Sequence, residues 1–510
     1  LNGILASIST AGGAGGGAIT IRHGGSDAVA FNIGNPANNG TAGAITSGTG
    51  TTLAPTQSYS QSITRNNIRI LTEDPPEPQK VAPNPIQTVI PVQVAIPNTT
   101  LALTGIPLES PLSLPEKNFS KQFAQYLGDA SVLQPMSAQS ITQTLDDISQ
   151  QTQTRPAIVY IFAQNDQLEL VLFAPGMKPL SRSLPLVSHE TLMAVVKTFI
   201  REVSDPRKTR TTSYLASAQQ LYRWMIAPIA ANLQAENIDT LLFAMDTGLR
   251  SLPMAALHDG QQFLVQKYRI AIIPSLSLTN TRYASLSNAQ VLAMGASTFQ
   301  DHPPLPAVPL ELATIAKHLW TGQKFLNQSF TLKNLKHQRQ ANPYQIIHLA
   351  THGEFQGGPF SNSYLQLWDT QLHLNQLREL GWSHPPVELL VLSACQTAFG
   401  NEQAELGFAG IAFHSGVKSV LASLWYVSDE GTLGLMTEFY RQLKTSPIKA
   451  AALQQAQIAM LTGLIELEDG ELRGPWQPKK MLLPAEFEHR NANLTHPFYW
   501  AAFTMIGSPW

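Results

Sequence analysis

The sequence is poor in cysteine, since Cys395 is the only one among its 510 residues. A single thiol cannot form an intramolecular disulfide, and a CxxC metal site is excluded as well. A lone thiol is a liability in an oxidising compartment unless it is buried or used. The surroundings of Cys395 therefore become the first place to look for function.

Charged residues and long apolar runs are also scarce. Charged residues make up 13% of the chain, with a net charge of -2, against ~25% in ordinary soluble proteins. We therefore expect neither nucleic acid nor an anionic membrane surface as a partner. No apolar run reaches the ~18 residues of a transmembrane helix. The chain begins at Leu1 without a signal-peptide pattern, and we interpret it as a fragment or a processed chain.

The N-terminal region is rich in glycine instead. Residues 1–64 contain only two charged side chains, and short β-type triplets recur between Gly and Asn turns. This texture fits either a β-solenoid remnant or a flexible, disordered segment. It resembles the last rungs of filamentous-haemagglutinin-type secreted β-helices, which implies a secreted or cell-surface protein, with a cytoplasmic one as the alternative. The Gly-rich stretch at 12–17 lacks the strand and helix that a phosphate loop requires.

A proline-rich linker is predicted next, over residues 65–115. Ten prolines fall within 75–115, and their fixed φ angles favour an extended tether. Beyond this boundary, residues 116–154 show the apolar spacing of a helical lead-in. Apolar strands then alternate with amphipathic helices. We predict an α/β domain over 116–510, a mostly parallel sheet with helices on both faces, divided into a first half at 155–290 and a catalytic half at 291–510.

Two of the predicted strands end in reactive residues. One strand, at 345–350, runs into His352 and Gly353, and another, at 388–393, runs into Cys395. The carboxyl ends of parallel strands lie at one edge of a sheet, so we expect His352 and Cys395 on adjacent loops. An imidazole beside a thiol can take its proton and later protonate a leaving amine. The backbone N–H groups of Gly353 and Cys395 are predicted donors to an oxyanion.

Simpler interpretations exist for the same residues. A lone cysteine is commonly a small buried hydrophobe, and a lone histidine is commonly structural. His348 and His352 have a spacing that suggests zinc on a helix, but on a strand such residues lie ~13 Å apart. We therefore predict no metal and no cofactor, with His348 as a buried structural residue. Glu354 is expected to be a solvated loop acid, and Asp369 a turn former and the second choice for an acidic substrate contact.

An ordered series of motifs carries a more specific resemblance. Residues 155–510 resemble the CHAT domain family, caspase-like proteins related to separase, in the following stretches: 249–257 (LRSLPMAAL), 348–353 (HLATHG), 393–397 (SACQT), 404–410 (AELGFAG), 415–420 (SGVKSV), 421–430 (LASLWYVSDE) and 496–503 (HPFYWAAF). The resemblance implies a caspase-type sheet and a His352/Cys395 dyad that hydrolyses peptide bonds in a protein or peptide substrate. Gln396 and Ala398 depart from residues common in the family, without removing a catalytic atom.

The same resemblance implies a basic-residue preference. The stretch around Asp429 is similar to the separase segment that supplies the acid of the S1 pocket, so Asp429 is the candidate partner for an Arg or Lys side chain. Its alternative role is a helix N-cap. Ser423 and Trp425, at the end of the neighbouring strand, are candidates for pairing with an extended substrate backbone.

Two functional alternatives remain open at this stage. The fold could serve as a protein-binding or signalling scaffold with weak or no proteolysis. Alternatively, an adhesin-like N-terminal region could carry the main role, with the peptidase domain cleaving the linker at Arg65, Arg69 or Lys80. The sequence predicts no oligomeric state and does not identify the substrate.

Overall fold

The computed structural model describes part of the chain in atomic detail. The described residues are 6–9, 19–23, 31–33, 40–41, 44–47, 52–54, 57–59, 63–65, 68–72, 114–127, 135–163, 166–354, 360–393, 411, 415–476 and 480–510. The chain divides into two compact units, Leu1–Ala102 and Leu103–Trp510. Each is considered by itself.

The first unit consists of short strands that bury isoleucines. Its strands are Ala6–Ser9, Ile19–His23, Phe31–Ile33, Gly40–Thr41, Ala44–Thr46, Thr52–Leu53, Ser58–Tyr59, Ile63–Arg65 and Ile68–Thr72. Parallel pairs join the first to the fifth strand and the second to the ninth, whereas Ile63–Arg65 and Ile68–Thr72 pair antiparallel. Ile19, Ile33 and Ile45 belong to one small apolar cluster. The strand Ile68–Thr72 falls within the range predicted as linker, and residues 12–17 lie outside the described residues.

The second unit is built on one sheet of eleven strands, numbered here in chain order. They are β1 Pro156–Ala163, β2 Leu168–Phe173, β3 Leu180–Leu184, β4 Thr240–Met245, β5 Arg269–Ile272, β6 Val291–Gly295, β7 Gly322–Leu326, β8 Ile346–Ala350, β9 Leu389–Ser393, β10 Ser419–Ser423 and β11 Phe503–Gly507. Across the sheet the order is β3-β2-β1-β4-β5-β11-β10-β9-β8-β6-β7. Only the β1–β2, β2–β3 and β10–β11 pairs of this sheet are antiparallel. The predicted mostly parallel sheet is confirmed.

Helices cover both faces of this sheet. Successive residues of β1 enter different apolar clusters, Val159 on one face and Ile158 on the other, as the period of a strand requires. The α-helices are α1 Leu114–Leu127, α2 Ala138–Thr152, α3 His189–Ser204, α4 Leu215–Met225, α5 Ala227–Ala235, α6 Leu264–Lys267, α7 Val308–Ala313, α8 Leu332–Ala341, α9 Leu374–Leu377, α10 Asp429–Leu443, α11 Lys449–Leu461 and α12 Pro497–Trp500. A π-helical segment, Thr314–Leu319, continues α7. The predicted helices on both faces are confirmed.

Smaller elements complete the unit. Two three-stranded antiparallel sheets consist of Gly353–Glu354, Tyr364–Gln366 and Gln371–His373, and of Glu466–Glu468, Glu471–Arg473 and Lys480–Leu482. Single 3-10 turns span Pro206–Lys208, Met254–Ala256, Asn327–Ser329, Phe360–Asn362, Arg378–Leu380 and Ala485–Phe487. Helix α4 ends at Met225 and α5 begins at Ala227, with Pro228 in the first turn of α5, where proline is favoured.

The helical lead-in is anchored to the sheet by a buried carboxylate. Glu116, near the start of α1, is inaccessible to solvent. It accepts hydrogen bonds from the Tyr160 hydroxyl and from the backbone N–H of Ser277 (2.7 Å) and Leu276 (3.2 Å). A buried carboxylate is tolerated when its oxygens receive such donors. Helix α1 therefore belongs to the body of the second unit.

Strand β11 joins the two halves of the sheet. It pairs in parallel with β5, within 155–290, and antiparallel with β10, within 291–510. No helix among the described residues is both long and apolar enough to cross a membrane. The described part of the chain also contains no group of three or more His, Cys, Asp and Glu side chains placed to hold a metal ion.

Candidate active site

Strands β8 and β9 end side by side. These strands are parallel neighbours, and Ala350 at the end of β8 is in register with Ser393 at the end of β9. The Thr351 N–H donates to the Ser393 carbonyl at 3.4 Å, so the pairing continues to the first loop residue. His352 is the next residue on the β8 side. Cys395 is two residues beyond Ser393 and lies outside the described residues.

The His352 imidazole is held by a backbone carbonyl. Its Nε2 lies 2.9 Å from the carbonyl oxygen of Pro303. A carbonyl can only accept, so the proton of the neutral ring resides on Nε2, and Nδ1 carries the free lone pair. This tautomer leaves Nδ1 as the nitrogen that can take up a proton.

Two further rings enclose this imidazole. The ring centroid of Phe299 lies 4.6 Å from that of His352 at an interplanar angle of 63°. The His302 ring stacks on it at 5.0 Å and 24°. Burial lowers the pKa of His352, the bond to the Pro303 carbonyl opposes this effect, and the neighbouring His302 lowers the pKa further. A lowered pKa keeps the imidazole neutral, and so able to act as a base, near neutral pH.

Gly353 directs its backbone N–H away from the neighbouring hairpin. It is in antiparallel register with Leu365, and the Gln366 N–H donates to the His352 carbonyl at 2.8 Å. That bond makes Gly353 and Leu365 a non-hydrogen-bonded pair, so the Gly353 N–H points to the opposite side. A Cβ at this position would lie 2.9 Å from Leu365 Cδ2. The close approach explains why a residue without a side chain is present.

A narrow cleft lies beside His352. His352, Ser423 and Asp429 all line it, which are three of the residues singled out in the sequence. The remaining lining residues are Leu305, Val308, Glu311, Thr351, Ser393, Tyr426, Val427, Thr432 and Phe503. No Lys or Arg is among them, and the cavity has a volume of about 30 Å³, close to the volume of one water molecule. The cleft is acidic and nearly closed.

Asp429 is the first residue of α10, directly after the cap of that helix. The N-cap is Ser428, whose hydroxyl accepts from the Gly431 N–H at 3.2 Å. One carboxylate oxygen of Asp429 accepts from the Ala307 N–H at 2.6 Å. Burial raises the pKa of Asp429 to about 7. The Ala307 hydrogen bond opposes this shift, and the charges of Glu311 and Glu430 add to it. Among the described residues that line the cleft there is no Lys or Arg to compensate this partly buried carboxyl.

Four buried polar side chains contact one another in a row beneath the cleft. Glu311 is 1% exposed and accepts from the Ser393 hydroxyl at 2.8 Å. His348, fully buried, places Nε2 3.1 Å from Glu311 at an angle outside hydrogen-bond geometry, and its Nδ1 lies 3.2 Å from the Tyr440 hydroxyl. His348 is therefore a buried residue next to the loop that contains His352, and its burial agrees with the sequence prediction. Glu311 ties α7 to the end of β9.

The other predicted residues lie around the cleft or away from it. Ser423 pairs with Phe503 on its β11 side. The Trp425 side chain is 6% exposed, donates its indole N–H to the Phe498 carbonyl at 3.0 Å, and does not line the cleft. Asp369 lies at the hairpin turn and accepts from the Leu332 N–H at 3.3 Å. Glu354 follows Gly353 and interacts with Tyr364.

The structure adds residues that no sequence pattern indicated. Phe299, His302 and Pro303 surround the imidazole, and Glu311 lies under the cleft. All four belong to the crossover between β6 and β7. The doublet of prolines at 303–304 gave no sign of this role, because only packing shows which loop lies against a strand end.

The chain matches the family described as CHAT domain over residues 215–508, and no curated protein matches it. Solved structures similar to it comprise 32 chains. They include the Saccharomyces cerevisiae separase–securin complex, with 10% identity, a TM-score of 0.47, and 78% of this chain but only 34% of that chain covered. The Arg-specific cysteine proteinase gingipain R shows 9% identity and a TM-score of 0.37, with 71% of this chain and 78% of that chain covered. The complex of Porphyromonas gingivalis RgpB pro- and mature domains shows 10% identity and a TM-score of 0.36, with 63% of this chain and 76% of that chain covered. The chain thus spans about a third of the separase chain.

Proposed function

Because the chain belongs to the CHAT domain family, we propose that it is a cysteine endopeptidase in which His352 and Cys395 form the catalytic dyad. One observation carries the proposal. His352, whose Nε2 is bonded to the Pro303 carbonyl, follows the end of β8, which lies beside the end of β9. Strand β9 ends at Ser393, two residues before Cys395, the only cysteine in the sequence. An imidazole bonded in this way is oriented for proton transfer through Nδ1.

The reaction follows from these groups. Nδ1 of His352 takes the thiol proton, and the sulfur of Cys395 attacks the carbonyl carbon of the scissile peptide. The carbonyl oxygen becomes an oxyanion, stabilised by the N–H groups of Gly353 and Cys395. The tetrahedral intermediate collapses when His352 protonates the leaving amine. A water molecule, deprotonated by the same imidazole, then hydrolyses the thioester and restores the thiol.

Asp429 gives the proposed substrate preference. Its carboxyl lines the cleft beside His352, and Glu311 adds a second acid below it. An Arg or Lys side chain entering this cleft would supply the missing positive charge, and the planar guanidinium of Arg can form paired hydrogen bonds with a carboxylate. We therefore propose cleavage after a basic residue, with the backbone at Ser423 and Trp425 pairing with the substrate.

The narrow cleft implies that substrate binding requires opening. A cavity of about 30 Å³ does not accommodate a basic side chain. Tyr426 lies at its rim and is 51% exposed, so this side chain can move without disturbing the core. The same observation favours a second candidate, a caspase-fold scaffold that binds protein partners and cleaves slowly or not at all.

Substitution of Cys395 tests the proposal. We expect the pure chain to cleave peptides containing Arg or Lys, and both Cys395→Ala and His352→Gln to abolish cleavage while the melting temperature is retained. His337→Gln, on the exposed side of α8, is the matched control and should remain fully active. Cleavage by pure Cys395→Ala protein would contradict the dyad.

A thiol-directed probe separates the peptidase from the scaffold. Under reducing conditions, an active-site probe with a basic recognition residue should label Cys395 in the wild-type chain and label His352→Gln poorly. A wild-type chain that is neither labelled nor active would favour the scaffold.

A further inference from the structure

We propose that His302 is a positioning residue for His352: its ring forms one wall of the slot that holds the imidazole, and its charge state influences the basicity of that imidazole. The inference rests on the proposed function only in treating His352 as the catalytic base. The contact between the two rings stands on the geometry alone.

The slot is built from one short segment of the β6–β7 crossover. Within it, His302 stacks on the His352 ring at 5.0 Å and Phe299 contacts that ring at 4.6 Å and 63°. Pro303, the residue directly after His302, supplies the carbonyl that binds Nε2 at 2.9 Å. The Phe299 and His302 rings also contact each other at 6.0 Å and 85°. Two ring walls and a carbonyl acceptor leave the imidazole one orientation.

Stacking of two imidazoles has an electrostatic consequence that stacking on phenylalanine does not have. A neutral His302 covers the neighbouring ring as an apolar plate would. A protonated His302 places a positive charge about 5 Å from the ring that must itself become an imidazolium during catalysis. A protonated His302 therefore opposes protonation of His352.

Other charges also act on this pair. Asp301 precedes His302 on its own loop, and Glu354 follows the catalytic loop. Asp369 lies across a groove that Asp301 and His302 also line. Glu311 of α7 and Asp429 of α10 line the cleft on the other side of His352. An ionised acid near His352 would favour the imidazolium, whereas a protonated His302 opposes it.

The test uses two variants of the full chain with selectively labelled histidines. His302→Phe keeps a ring against His352 and removes the charge, whereas His302→Ala removes both. His337→Phe, at an exposed position on α8, is the matched control. We measure the pKa of His352 by NMR titration, assigning its signal with His352→Gln, together with kcat, KM and the melting temperature.

The two variants should separate the two roles. In His302→Phe we expect the pKa of His352 to rise by about half a unit, with kcat and KM within about twofold of the wild type. In His302→Ala we expect at least the same rise in pKa and a kcat about tenfold lower at nearly unchanged KM, because the ring is no longer held. A purely structural role would lower the melting temperature without this difference between the variants.

The outcomes that overturn the inference are distinct from those that overturn the peptidase. An unchanged His352 titration in both variants would refute the influence of His302, whatever the activity. A wild-type kcat in His302→Ala would refute positioning. If the wild-type chain cleaves no peptide, the proposed function fails, and the NMR titration still decides whether His302 acts on His352.

Discussion

At the scale of single residues, the most informative group is Asp429. Its carboxyl lines an acidic cleft without a cation among the lining residues, and burial raises its pKa to about 7. A buried carboxyl with a raised pKa in a cleft is typical of a functional site more than of a group that stabilises the fold. The ordinary alternative, a helix N-cap, belongs to Ser428 instead.

The pH dependence of substrate preference should report on this carboxyl. As pH rises through about 7, Asp429 ionises and binding of a basic side chain strengthens, so the ratio of kcat/KM for an Arg substrate to that for its Ala counterpart should increase. The ratio cancels the titration of the dyad, which both substrates share. Asp429→Asn should lower kcat/KM for Arg about a hundredfold and make the ratio independent of pH. A pH-dependent ratio in the variant would contradict this assignment.

The same variant should be more stable than the wild type at high pH. The pKa of Asp429 in the native state, about 7, exceeds its ordinary value of 3.8. Between these values the native chain binds more protons than the unfolded chain, so the contribution of Asp429 to stability is full below pH 3.8 and is lost as pH rises to about 7. Above that pH, Asp429→Asn should gain about 1–2 kcal/mol, a figure reduced for partial exposure. Equal unfolding free energies at pH 8 would contradict the raised pKa.

At the scale of elements, the start of α10 links helix stability to the cleft. Ser428 caps the helix through the Gly431 N–H, and Asp429 follows it directly. We therefore expect removal of the cap to displace the Asp429 carboxyl within the cleft. A cap elsewhere in the unit has no such connection.

Two cap substitutions can be compared. Ser428→Ala and Ser137→Ala each remove one side-chain cap, from α10 and α2 respectively, so each should cost about 1 kcal/mol in chemical denaturation. We expect KM for a basic peptide to rise severalfold in Ser428→Ala and to be unchanged in Ser137→Ala. Equal KM values in the two variants would mean that the cap does not position Asp429.

Elements show how far the sequence predicts this molecule. Strands β8 and β9 and their parallel pairing follow from apolar runs and the rules of parallel sheets. The contact of the β6–β7 crossover with His352 could not be predicted, because Pro303 and His352 are 49 residues apart in the sequence. No local pattern specifies such contacts, since they depend on which loop packs against which strand end. The same holds for Glu311, which reads as an ordinary helix residue.

At the scale of the whole molecule, β11 is the strand that joins the two halves of the eleven-stranded sheet, and we call it the seam. Met505 is in register with Ala271 of β5 on one side and Leu421 of β10 on the other. In the strand order of the sheet, β11 lies between the strands of residues 155–290 and the other strands of residues 291–510, so the backbone pairing of the two groups runs through it. The family match, at 215–508, leaves out β1, β2 and β3, on which the first half of the sheet depends.

Substitution within the seam should separate the halves. Met505→Pro removes a backbone donor from a central strand, and we expect a loss of about 3 kcal/mol or more, with rapid cleavage by an added protease. Met505→Leu, similar in volume, should cost less than about 1.5 kcal/mol. Size-exclusion chromatography and limited proteolysis distinguish the two. A compact, protease-resistant Met505→Pro chain would contradict the role of the seam.

The position of this seam has a consequence for synthesis. Strand β11 is the last of the eleven strands to leave the ribosome, and its first residue, Phe503, also lines the cleft. His352, Asp429 and Cys395 have all been translated before the sheet can close around them. A nascent chain therefore carries every proposed catalytic group without a finished place to bind substrate. The proposed peptidase therefore cannot bind its substrate before β11 has been synthesised and has paired with β5 and β10.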